Sequence, residues 1–94
     1  MYMSVSIQDF IIINPDLRSG RPIIAGTTIR VLDVAALTNY HGRTPDEIAV
    51  NYKISLAQVH AALAYYYANK AEIDADLQRE DDIIREAKEK YKNL

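Results

Sequence analysis

Residues 44–69 constrain this chain most, because they carry the start signals of two helices with almost nothing between them. Thr44-Pro45-Asp46-Glu47 supplies an N-cap hydroxyl, a proline at the first helical position and a glutamate set to reach back to the cap. Ser55-Leu56-Ala57-Gln58 repeats the logic with glutamine in the returning position. Only Lys53 and Ile54 lie outside both, so the pair reads as a helix-turn-helix.

The second of these helices is the greasier. On a helical repeat Leu56, Val59, Leu63, Tyr66 and Tyr67 share one face, and Ala57, Ala61, Ala64 and Ala68 form an adjoining stripe. Gln58, Tyr65 and Asn69 are left as a narrow solvent edge. A helix apolar nearly all round is expected to be buried, and its alanines admit a neighbouring helix or a symmetry mate closely.

The flanks are simpler. Met1 to Asp9 alternates loosely at Tyr2, Val5 and Ile7, as an extended edge or a frayed end does. Residues 10–13 are a short strand stopped by Asn14-Pro15-Asp16; Ile23-Ile24 is a second, and residues 28–30 continue it after a turn at Gly26. From Val31 the apolar spacing becomes helical, with Asp33 in the first turn and Gly42 as the stop. Asn69-Lys70-Ala71-Glu72 predicts a break. A charged helix follows with a thin seam of Ile73, Leu77, Ile84, Ala87 and Tyr91, and Glu80 to Asp82 interrupts that seam.

The chain divides by charge. Residues 1–69 hold five Lys/Arg and five Asp/Glu, whereas residues 70–94 hold six and eight, so the whole net charge of −2 sits in the tail. Two parts are expected: strands plus a helical core over 1–69, and a partner-binding extension over 70–94. At 94 residues the core is modest, which favours dimerisation. The composition lacks the basic footprint of a general nucleic-acid binder. No cysteine is present, and no apolar run is long enough for a membrane span. A cytoplasmic protein without cofactor or metal is the expectation.

Chemistry is hard to place on these residues. His41 and His60 have no second ligand at metal spacing, and the paired acids Asp46-Glu47 and Asp81-Asp82 point in different directions around their helices. Gly20 and Gly26 are turn residues, not a phosphate loop. No enzyme is expected. DNA contact, if made, falls to Arg43 and Lys53 on phosphates with Gln58 and His60 nearer the bases, although residues 54–69 contain no Lys or Arg. Arg18, Arg21 and Arg30 are expected to pair with Asp9, Asp16 or Asp33.

Asn14-Pro15, Gly20-Arg21-Pro22-Ile23-Ile24, Gly26-Thr27, Ile29-Arg30-Val31, residues 44–48 and residues 59–66 together resemble the bacterial family known as domain of unknown function 433. The chain carries Thr28 and Lys53 where that family commonly has arginine and proline. The resemblance implies a mainly α fold: a three-helix, homeodomain-like or winged helix-turn-helix core behind short N-terminal β-strands, with a C-terminal helical extension. It also implies an antitoxin-like member of a type II toxin–antitoxin pair, whose partner is a PIN-like ribonuclease. On that reading Ile73, Leu77, Ile84 and Tyr91 anchor the toxin, and Arg79 or Arg85 neutralises its acidic site. Operator DNA is a further expected partner. The alternatives are a DNA-binding regulator without a toxin, a structural homodimer, and for the tail a solvated or self-paired helix.

Overall fold

The computed structural model describes residues 6–92. Tyr2 and Val5 of the expected N-terminal edge therefore lie outside the described residues, and Ile7 belongs to a 3-10 turn, Ile7–Phe10, capped by Ser6. Two short strands follow, β1 (Ile11–Ile12) and β2 (Ile23–Ile24), paired antiparallel with Ile11 opposite Ile24. The helices are α1 (Val31–His41), α2 (Pro45–Tyr52), α3 (Leu56–Ala68) and α4 (Lys70–Lys92). The layout is mainly helical with a small N-terminal sheet, as the sequence implied.

Local chemistry sets most boundaries. The Asn14 side chain accepts from the Asp16 N–H at 2.9 Å and turns the chain out of β1. Arg18, Ser19 and Gly20 then all take positive φ, a left-handed turn between β1 and β2. The strand expected over residues 28–30 shrinks to one bridge, Ile23 to Arg30. Arg30 is already the N-cap of α1, with its N–H held by Asp33 at 2.9 Å, so it has no room to extend a strand.

Gly42 ends α1 at φ 60°, where a side chain would strain the backbone. The two capping boxes form as read: Thr44 and Glu47 satisfy each other's N–H, and so do Ser55 and Gln58. Lys53 closes α2 in the left-handed region at φ 58°, a value closed to proline. The break at Asn69 is present, but its cause differs from the expectation. The Asn69 amide returns to the Tyr65 carbonyl at 3.0 Å, so this residue finishes α3 instead of bonding forward to Glu72.

Ile24, Val31, Val34, Ile48, Val59 and Tyr66 form the centre of the core, with the first part of α4 laid across it through Ile73 and Leu77. The expected division at residue 69 is therefore not a packing boundary. Among the described residues, no buried side-chain nitrogen or oxygen lacks a partner. The molecule is 64 Å long and only 29 and 23 Å across. The excess length is the end of α4.

Candidate interaction surface

Three sets of polar contacts fasten the beginning of α4. The Tyr66 hydroxyl, at the heart of the core, donates to Asp74 at 2.6 Å and accepts from the Asn39 amide at 2.7 Å. Lys70 donates to the other Asp74 oxygen at 2.6 Å. Lys70 and Tyr66 together hold the Asp74 carboxyl below the usual range, while burial, helped by Asp74, pushes the Tyr66 phenol up. Next along the helix, Arg21 makes a two-pronged contact with Asp76 at 2.6 and 3.0 Å, which depresses the Asp76 pKa. Finally Arg30, itself largely buried, binds both Asp33 and Glu80.

The sequence reading anticipated only Arg30–Asp33 among these pairs. Asp76 and Glu80 lie far along the chain from Arg21 and Arg30, so no local pattern revealed them. One signal was available. Glu80 continues the spacing of Ile73 and Leu77, which marks it as facing the same way. It does not interrupt the seam, because Arg30 neutralises it at the core's rim.

Beyond Glu80 the helix leaves the buried core, with Asp81 still beside Tyr40 of α1. Ile73 and Leu77 are 7% and 4% exposed, whereas Ile84 and Tyr91 are 52% and 66% exposed. This corrects the expected toxin-facing set. Ile73 and Leu77 are consumed by the chain's own core and are not available to a partner, while Ile84 and Tyr91 remain open, joined by Ile83. Arg79 and Arg85 pair one turn back along their own helix, with Asp76 at 3.2 Å and Asp82 at 2.9 Å. Both are well exposed, and surface pairs of this kind are weak enough to exchange for a new partner.

The DNA-facing set is scattered. The Gln58 carboxamide oxygen accepts the Ser55 N–H at 2.7 Å, so that acceptor is occupied by the cap. Arg43 pairs with Glu47 at 3.4 Å and shares the rim of a cleft with Asp46 and Glu47, acids that oppose a phosphate. Lys53 and His60 are exposed. Among the described residues no group of three potential ligands could hold a metal ion.

The greasy helix α3 is also less covered than its composition suggested. Core contacts reach Val59, Ala61, Ala62, Leu63 and Tyr66, while Leu56, Ala57, His60, Ala64, Tyr67 and Ala68 form an exposed arc. Gln58, Tyr65 and Asn69, expected in solvent, are half-covered by the cap, the N-terminal turn and the helix end. Alanine adds so little apolar area that leaving it in water costs little, which is why its position did not fix a neighbour.

Fold and surface thus define a small helical domain with a projecting, partly apolar helix. Residues 11–66 match the family model described as "Protein of unknown function (DUF433)", so the chain belongs to the DUF433 family. A DUF433 member protein from Anabaena variabilis ATCC 29413, known from its crystal structure, is similar with a TM-score of 0.68 and 29% identity, over 77% of this chain and 71% of that one. No curated protein is matched. No helix among the described residues is long and apolar enough to cross a membrane.

Proposed function

We propose that this chain is a non-catalytic binding module of the cytoplasm that holds a partner protein through the projecting part of α4, in the manner of an antitoxin bound to a PIN-like ribonuclease. One observation carries the reading: residues 81–92 continue as helix past the last core contact, with Ile83, Ile84 and Tyr91 uncovered. An amphipathic helix presenting spaced apolar anchors is a common way to fill a groove on another protein. Arg85 beside those anchors suits a partner with an acidic site.

The test is co-expression with a PIN-like ribonuclease encoded beside this protein's gene. The full chain should restore growth and co-purify with the nuclease. A chain ending at Glu80, which keeps every buried residue, should do neither. Rescue by the shortened chain would refute this use of α4. A shift of operator DNA that falls steeply with salt, without any captured nuclease, would favour the regulator reading through Arg43 and Lys53.

A further inference from the structure

The buried and exposed parts of α4 share one geometric repeat. Ile73, Leu77, Glu80, Ile84, Ala87 and Tyr91 are spaced alternately by four and three residues, the spacing of a coiled-coil seam. The two edges of that seam are fixed by the core. Asp76 faces Arg21 on one side. On the other, Asp74 meets Tyr66, and Asp74 and Asp81 both help to raise the neighbouring Tyr40 phenol, after desolvation. Lys88 is one heptad beyond Asp81 and therefore lies on the Tyr40 edge, which changes sign from acidic to basic along the overhang.

We infer that the overhang of α4 pairs antiparallel with the same segment of a second copy of this chain. An antiparallel copy centred between residues 84 and 87 sets Ile84 against Ala87 of the partner subunit, large against small. It sets Glu80 against the partner's Tyr91, whose hydroxyl reaches the carboxylate at the rim. On the edge, Asp81 meets Lys88 of the partner subunit, and two-fold symmetry makes that contact twice. A parallel arrangement would bring both globular cores to the same end, where they collide. The antiparallel one fits by length, because each overhang, about 18 Å for twelve residues, fills the space beside an identical overhang and ends at the other copy's core.

A helix this short is marginal in isolation, yet this one propagates from an anchored first half, so its nucleation is already complete. Four layers of contact fall at or below the ~1,200 Å² typical of stable complexes, so the pair is weak and concentration-dependent. That weakness matters for the proposed function, on which this part of the inference rests. The free protein covers its apolar seam with its own copy, and a tighter partner displaces that copy.

Sedimentation equilibrium of the full chain, across a concentration series, tests the pairing. The native chain should move from monomer to dimer. D81K alone and K88D alone should each weaken dimerisation about tenfold or more, since two attractive contacts become repulsive. Mixing the two variants should restore association to within about threefold of native, as should the double variant D81K/K88D. I84D should abolish it, and far-ultraviolet circular dichroism should show all variants folded, because the three positions are exposed. A monomer at all concentrations, or a dimer indifferent to both charge reversals, or single variants that fail to recover on mixing, would overturn the inference. A monomeric chain that still captured the nuclease would sink the pairing alone; a dimer that captured nothing would sink the proposed function alone.

Discussion

The two halves of α4 have similar composition and opposite fates. Residues 70–80 and residues 81–92 are both rich in charge, and each carries isolated apolar residues at heptad spacing. In the first half those residues meet α1 and α3, and three acids find Asn39-held Tyr66, Arg21 and Arg30. In the second half nothing is there to meet them. The difference lies not in the helix but in where the remaining chain runs out of core. A seam of two or three apolar residues is enough to dock a helix when a complementary surface and matching cations are within reach.

The sharpest way to break this contrast is truncation. A chain ending at Asn69 loses Ile73 and Leu77 together and should show no cooperative unfolding transition. A chain ending at Glu80 should unfold in urea with nearly native stability. Equal behaviour of the two would mean that the first half contributes no packing.

Single substitutions sharpen it further. Leu77→Ala should cost about 2–5 kcal/mol, against less than about 0.5 kcal/mol for Ile84→Ala, both measured by urea titration of dilute protein. Tyr66→Phe should cost about 1 kcal/mol, because it removes the donor to Asp74 and the acceptor for Asn39 while keeping the ring. If Tyr66→Phe proves neutral, the network is not what fastens the first half.

Acid should loosen the same contacts. The folded pKa values of Asp74 and Asp76 lie below the usual aspartate range, so the unfolded chain binds more protons in that window and stability rises with pH through it. The contribution is complete above the unfolded carboxylate range and is lost as pH falls through the lower folded values. Asp76→Asn should therefore flatten the acid limb of the stability profile measured by urea titration across pH. An acid limb as steep as that of the native chain would show that the Arg21 contact is no stronger than a surface pair.

Residues whose meaning is local were legible without coordinates. Thr44 and Glu47, Ser55 and Gln58, Gly42 and the break at Asn69 each act within a few positions, and each falls where the sequence placed it. The surface was less legible. Ile73 and Leu77, read as partner anchors, are instead buried in the chain's own core. A side chain's type states what it can do, not which neighbour reaches it first.

By itself the sequence determined where helices begin and end, because caps, prolines and glycines act through covalent geometry and hydrogen bonds one turn away. Only the tertiary structure decided which half of α4 belongs to the core, which arc of α3 stays in water, and that Arg21 and Arg30 reach Asp76 and Glu80. Those outcomes depend on which surfaces the folded chain brings together, and burial acts between surfaces without regard to their order along the chain.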